Sequence, residues 1–377
     1  MITSTHYNAE RAVRVAMRAT LSIMVAAQTI AAQPTTREVP MRAGLTIVSA
    51  VAGNRDFKDY EQIIVVASAS PEAIMLQAFA ELEERNGRRR QIIVTRRVSG
   101  ADIAAAPTHI LGFYTRDAVS LSGTTALGPS LEVVRSLRTT GRATYSVKNY
   151  AVREASTGMI SLVEKDPVPF PVLFNGRRVT LPALHAAGQL KHPMGVRPWE
   201  IYVLDHPVQP ILLKVAYGAP NAKIPVVPEW TRQVVRIDLL EQALGTAGSG
   251  GRGGTEVENA LAKDCRVELP GVYFEFNSAT LNPQSEPALR SLAEMLGRRA
   301  DWRISIEGHT DGVGTEQYNM DLSARRAVAV REALVGTHGI ASARITTAGF
   351  GESRPREPNA TPEGRARNRR VELVRPC

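Results

Sequence analysis

The stretch Gly308-His309-Thr310-Asp311-Gly312-Val313-Gly314 runs on through Tyr318-Asn319 to Leu322-Ser323-Ala324-Arg325-Arg326-Ala327 and gathers groups able to bind charge. Asp311 offers a carboxylate to a cation. Arg326 offers a planar guanidinium that matches a carboxylate through parallel hydrogen bonds. Together they suit a zwitterion, such as an amino acid with free amino and carboxyl ends. On spacing alone a plainer reading stands beside this one: Asp311 caps a turn and Arg326 is a helix-surface charge. His309 invites a catalytic or metal role, yet no His-Glu-x-x-His spacing occurs and the other histidines are scattered. Ser249 lies between Gly248 and Gly250 without the wider Gly-x-Ser-x-Gly elbow. No catalytic residue, metal ligand set or cofactor is therefore expected, and a hydrolase would have to use the upstream region.

These residues need a strand before them and a helix after them, because loops at the carboxyl ends of strands are where α/β sheets bind ligands. Arg303-Ile304-Ser305-Ile306-Glu307 supplies the strand. The helix is expected from Leu322 to Val335, with Ala327, Val330 and Leu334 inward and Gly336 ending it. Val272-Tyr273-Phe274-Glu275-Phe276 alternates and predicts an earlier strand. Asn282-Pro283 reads as an N-cap followed by proline, opening a helix with a stripe of Leu289, Leu292, Ala293 and Leu296. Ile345 to Ala348 and Arg370 to Val374 predict the last strands. The expectation is an α/β sandwich of order βαβαββ, with helices on a single mixed sheet.

Residues 308–327, with Gly349-Phe350-Gly351-Glu352-Ser353 and Asn368-Arg369-Arg370-Val371-Glu372, closely resemble the OmpA-like C-terminal peptidoglycan-binding family. Val272 to Phe276 followed by Asn277-Ser278-Ala279 is similar to that family's first strand and turn. The resemblance spans roughly 265–377 and none of the upstream region. It implies that Asp311 and Arg326 hold the diaminopimelate residue of the peptidoglycan stem peptide. It places Arg369 beside the ligand, and Thr310, Leu322 and Asn277 at positions that line or shape the pocket. Glu275 departs from the pattern, since the family usually has Asp there. The implied activity is binding, not cleavage.

The chain carries 46 Lys+Arg against 37 Asp+Glu, with a net charge of +9 and a pI near 9.8. That balance fits an anionic lipid, wall polymer or nucleic acid, or surface arginines that only confer solubility. At 377 residues, 44% apolar and 22% charged, two globular domains are expected. Arg11, Arg14 and Arg18 precede an apolar run that closes on Thr29-Ile30-Ala31-Ala32, the order of a secretory signal over residues 1–32, with Met17 as an alternative start. Export makes nucleic acid an unexpected partner and points to the periplasm or outer membrane. The 2 cysteines, Cys265 and Cys377, fit one disulfide in an exported protein, with free thiols as the alternative.

Residues 244–255 are glycine-rich and predict a flexible linker before a domain at 256–377. Residues 41–240 predict a β-rich domain of unknown role. Leu45 to Val48, Gln91 to Thr95, Ile211 to Val215 and Thr231 to Ile237 favour strands, and Phe170 to Phe174, Asn175-Gly176, Arg177 to Thr180 reads as a hairpin. A helix is expected from Pro129 to Leu137. Arg88-Arg89-Arg90 and Arg96-Arg97 read as a solvated strand end. Short runs and an aromatic share of 5% favour a β-sandwich or small sheet over an outer-membrane barrel. The expected protein is a non-catalytic envelope protein in which peptidoglycan anchors a β-rich exported domain that meets outer-membrane or envelope proteins. An outer-membrane pore with the same anchor, or a hydrolase acting through the upstream domain, is the alternative.

Overall fold

Several upstream runs are apolar at every position, a pattern that calls for a sheet covered on both faces. The computed structural model describes residues 39–52, 57–112, 120–148, 154–192, 195–208, 210–219, 227–239, 256–275 and 277–377. The expected signal segment 1–32 and the stretch 244–255 lie outside these residues. β1 (Leu45–Val51), β2 (Tyr60–Ala69), β3 (Ala73–Glu83) and β4 (Arg89–Ser99) form an antiparallel meander. α1 (Gly100–Ala105), β5 (Thr108–Ile110), β6 (Thr124–Thr125), α2 (Leu131–Thr140) and β7 (Arg142–Lys148) follow. Next come β8 (Ser156–Leu162), β9 (Val168–Phe174), β10 (Arg177–His192), β11 (Gly195–Leu204), β12 (Leu212–Ala219) and β13 (Val227–Leu239).

The β-rich expectation holds, but the expected sandwich or small sheet does not. All these strands join one 13-stranded sheet, ordered β4-β3-β2-β1-β13-β12-β11-β10-β8-β7-β5-β6, with β9 on both β10 and β13. Ala183 of β10 pairs with Leu204 on one edge and Val168 on the other. β9 then pairs in parallel with β13 at Leu173 and Phe174, so β9 to β13 close into a ring. The strands also outrun the short apolar runs, with 16 residues in β10 and 13 in β13. Gly188 sits inside β10, where β8 comes so close that a Cβ would lie 2.1 Å from the Met159 carbonyl oxygen.

The hairpin forms as read, with Asn175 at φ 47° and Gly176 at φ 76°, the positive values a type I′ turn demands. α2 begins one residue after Ser130, not at Pro129, and buries Val134 and Leu137. Arg88, Arg89 and Arg90 are exposed, whereas Arg96 turns inside at 2% exposure. β1 is buried along its whole length. Leu45 and Ile47 enter the inner core with Leu76, Leu181 and Ile237. Val48 and Ala50 face outward, where Ile63, Phe79 and Val235 meet Tyr273 and Ala366 from the C-terminal region. That second contact explains why β1 is buried on both faces, Thr46 and Ser49 included.

The C-terminal region contains α3 (Glu256–Asp264), β14 (Arg266–Glu268), α4 (Glu286–Arg298), β15 (Ile304–His309), α5 (Glu316–Glu332), β16 (Ile345–Gly349), α6 (Pro362–Asn368) and β17 (Arg370–Val374). Its 4-stranded sheet is ordered β14-β17-β15-β16. β15 and β16 are parallel, and β17 runs antiparallel to β14 and β15. The predicted stripe of α4 packs on Ile304, Ile306, Ala327, Val330 and Leu373. Cys265 and Cys377 are bonded, with their Cα atoms 5.6 Å apart.

Two expected elements change. Residues 272–275 form no strand of this sheet and make only a bridge from Phe274 to Leu281, while Phe276 lies outside the described residues. The buried Ser285 hydroxyl accepts from the Tyr273 amide at 2.8 Å and donates to the Tyr273 carbonyl at 2.9 Å, and the Asn282 amide donates to the same carbonyl at 2.9 Å, so a local turn holds the groups a sheet neighbour would need. The first sheet strand is β14 instead. α5 starts at Glu316 rather than Leu322, because Thr315 caps it by accepting from the Tyr318 amide at 3.2 Å.

Candidate functional site

β15 runs under α5 and delivers the charged loop at its carboxyl end. Gly308 makes that possible, since a Cβ there would lie 2.2 Å from the Ser323 carbonyl oxygen. Beyond it, the Thr310 amide donates to the Gly351 carbonyl at 2.9 Å, and the Gly351 amide donates to the Ser323 hydroxyl at 2.8 Å. Asn319 donates to Glu352 at 2.6 Å, so the loop after β16 is fastened to α5 as well. The candidate residues therefore stand on a braced junction rather than a free loop.

Asp311 is 8% exposed, and its Oδ1 accepts from the Val313 amide at 3.0 Å. Its Oδ2 accepts from Arg369 Nη1. Arg369 Nη2 reaches Glu61 of β2 at 3.1 Å. Arg326, also 8% exposed, donates from Nε to the Ser278 carbonyl at 2.9 Å and lies 5.0 Å over the Phe274 ring. Among the described residues neither Nη of Arg326 has a hydrogen-bond partner, so the fork is left open. Asn277 is at φ 52° and accepts from the Tyr318 hydroxyl at 2.7 Å, which holds the turn that carries Ser278. Leu322 is buried beneath, and the buried Thr310 hydroxyl has no partner among the described residues.

Burial lowers the Arg326 pKa to about 10, helped by the charge of Arg369 and opposed by Glu61 and Asp311. Arg326 thus stays cationic at neutral pH. Burial also works against Arg369, but the Glu61 and Asp311 carboxylates outweigh it and raise its pKa. The site can receive a carboxylate at the open Arg326 fork and a cation at the facing carboxylates.

The structure brings Asp311, Arg326 and Arg369 into one charged cluster, seats Asn277 at its rim through Tyr318, and buries Thr310 and Leu322 behind it. Arg369, ranked behind the other two on sequence, is the residue bonded to Asp311. Tyr318 stood in the quoted motif without a role. Glu61 carries no sequence signal, since 308 positions separate it from Arg369.

Behind the site, Glu268, Glu372 and Glu307 line up in register on β14, β17 and β15. Like charges side by side on a sheet repel. Arg266 bonds Glu307 and Glu372, Arg356 bonds Glu268 at 2.6 Å and Glu372 at 2.9 Å, and Arg370 bonds Glu372 at 2.6 Å. Glu307, His309 and Glu372 lie close enough to share an ion, yet guanidinium groups already supply the positive charge to both glutamates. Burial would raise the Glu372 pKa, but Arg370 and Arg266 bring it down to about 2. Burial, then the charge of Arg370, lowers His309 to about 4.

These shifts fix a pH profile. A histidine whose folded pKa lies below its unfolded value is stabilising when neutral, and that contribution is lost as pH falls from the unfolded pKa towards the folded one. For His309, at 1% exposure, the loss falls between about pH 6.5 and about pH 4 and is on the order of 3 kcal/mol. The Glu372 contribution is present above about pH 4.5 and disappears towards about pH 2. Urea midpoints of the wild type should therefore drop between pH 7 and pH 4, and His309→Gln should flatten that drop. An equally steep profile in the variant would assign it to other groups.

Residues 273–369 match the sequence model of the OmpA family. Over 113 residues the chain is 45% identical to outer membrane porin F of Pseudomonas aeruginosa, which covers 30% of this chain and 32% of that one. Over 103 residues it is 44% identical to the peptidoglycan-binding protein ArfA of Mycobacterium tuberculosis, covering 27% and 31%. The chain spans about a third of the length of these curated relatives. Among solved structures, the peptidoglycan-associated lipoprotein of Burkholderia pseudomallei is 34% identical, covering 28% of this chain and 88% of that one, with a TM-score of 0.27.

Proposed function

With residues 273–369 an OmpA-family domain, we propose that this chain is a non-catalytic cell-envelope protein that binds peptidoglycan through the diaminopimelate of its stem peptides. Diaminopimelate ends in an ammonium and a carboxylate on one carbon. Arg326 takes the carboxylate and Asp311 the ammonium, while Arg369 holds Asp311 in place. Thr310, Leu322 and Asn277 shape the cavity, with the Thr310 hydroxyl available to the ligand. The observation that carries the reading is the open Nη fork of Arg326 in a cluster with Asp311. In this account the protein is exported to the periplasm or outer membrane, and residues 41–240 form the cargo that the module fixes to the wall.

Purified full-length protein mixed with diaminopimelate-type sacculi should pellet with them and be released by soluble muropeptides. Protein left in the supernatant overturns the reading. The sacculi should also remain intact, because the proposed role is binding; soluble muropeptides appearing on incubation would point to a hydrolase in the upstream region.

The closed ring of β9 to β13 favours a second reading, an outer-membrane pore with the same anchor. Against it, the outward side chains Val48, Ala50 and Ile63 are covered by Tyr273 and Ala366. A membrane barrel needs an apolar outward band on every strand. Among the described upstream residues the exposed large apolar side chains are Ile93, Met159, Val163, Val196 and Val208, at most one to a strand. Heat-modifiable migration after detergent extraction would favour the pore; release from cells without detergent favours the soluble reading.

A further inference from the structure

We infer that Glu61, contributed by the upstream sheet, belongs to the ligand site and receives the ligand's ammonium together with Asp311. The inference rests on the zwitterion reading of the site. Both oxygens of Asp311 are already engaged, Oδ1 by the Val313 amide at 3.0 Å and Oδ2 by Arg369, which leaves each with a second lone pair only. Glu61 accepts from Arg369 Nη2 at 3.1 Å through Oε1 alone, and among the described residues its Oε2 accepts nothing. The Glu61 side chain is 26% exposed against 11% for Asp311. The carboxylate oxygen that is both unengaged and open to an incoming cation is therefore on Glu61.

Arg369 carries Asp311 on one nitrogen and Glu61 on the other, so one planar group sets the spacing of the two carboxylates. The strand entry is fixed beside it, where Asp59 pairs with Arg365 of α6. Outward-facing Val48, Ala50 and Ile63 pack on Ala366 of the same helix. Charge balance agrees. Arg326 and Arg369 against Asp311 alone leave a cationic site, suited to a plain carboxylate. Adding Glu61 makes the site neutral, suited to a group that carries both signs. The upstream region is then part of the recognition surface, and it selects for the ammonium.

The opposite role for Glu61 is an internal competitor that screens Arg326 from the ligand's carboxylate, and binding distinguishes the two. Full-length wild type and Glu61→Gln are titrated with a soluble stem peptide containing diaminopimelate, and with the same peptide acetylated on its side-chain amine. Gln preserves the side-chain shape and an oxygen for Arg369, and thermal melts verify folding. Glu61→Gln should weaken the free-amine peptide roughly three- to tenfold and leave the weaker binding of the acetylated peptide unchanged. Unchanged or tighter binding of the free-amine peptide overturns the inference, and equal losses with both peptides do the same. Asp311→Ala run alongside separates the levels: if it loses binding while Glu61→Gln does not, only the Glu61 role falls. If neither variant loses binding, the zwitterion reading falls with it.

Discussion

Arg326→Ala and Asp311→Ala should each lose most of the protein's retention on sacculi, with stem-peptide affinity weakened by about 2 kcal/mol or more, roughly thirtyfold. The size follows from what each change strands. Arg326 is nearly buried, and its Nε is already committed to the Ser278 carbonyl, so the open Nη pair is the one place for a carboxylate to make two bonds. Alanine leaves that carboxylate without its paired donors. Arg326→Lys restores the charge without the fork and should recover only part of the affinity. Asp311→Ala acts twice, because it removes the ammonium acceptor and frees Arg369 from one of its two carboxylates. The released guanidinium then repels the ligand's ammonium. Near-wild-type pelleting by both variants, with normal melts, would remove Asp311 and Arg326 from the site.

Cys265→Ser with Cys377→Ser should lower stability by up to about 4–5 kcal/mol, the chain-entropy value for loops near 100 residues. The bond closes a separation of 112 positions. The terminal segment has other anchors in the folded state, so it should stay docked when the bond is lost. The Arg375 amide donates to the Cys265 carbonyl at 2.9 Å, and its guanidinium donates to the Leu261 and Ala262 carbonyls, both at 2.9 Å. Cys265 also ties the end of α3 to β14, so reduction should loosen the edge of the sheet before its centre. Urea midpoints of the double variant, and of wild type with reductant, measure this. Identical midpoints would show that the bond does not constrain the unfolded chain.

Where local chemistry decides structure, the sequence was readable. Asn175-Gly176 makes its turn because few other pairs accept two positive φ values, and the α4 stripe buries as its spacing requires. Where a distant group decides, it was not. Val272 to Phe276 alternates like a strand, yet Ser285 and the Asn282 amide hold the polar groups of Tyr273. The first turns of α5 are polar, so apolar periodicity begins only at Leu322, and the Thr315 cap is the one local signal of the true start. In the site, Asp311 and Arg326 were legible through their motif. The Arg369 bond to Asp311 depends on β15 pairing with β17, and the arrival of Glu61 on the packing of two sheets, for which no local pattern exists.

The central claim is that Arg326 and its facing carboxylates recognise an amino-acid end bearing both charges. Calorimetric titration of the full-length protein with two soluble stem peptides, one containing diaminopimelate and one with lysine in its place, tests it most directly. Lysine keeps the ammonium and lacks the adjacent carboxylate. The account predicts measurable binding of the diaminopimelate peptide and at least roughly tenfold weaker binding of the lysine peptide, the worth of one charge-assisted pair. Equal affinity for the two peptides would contradict it.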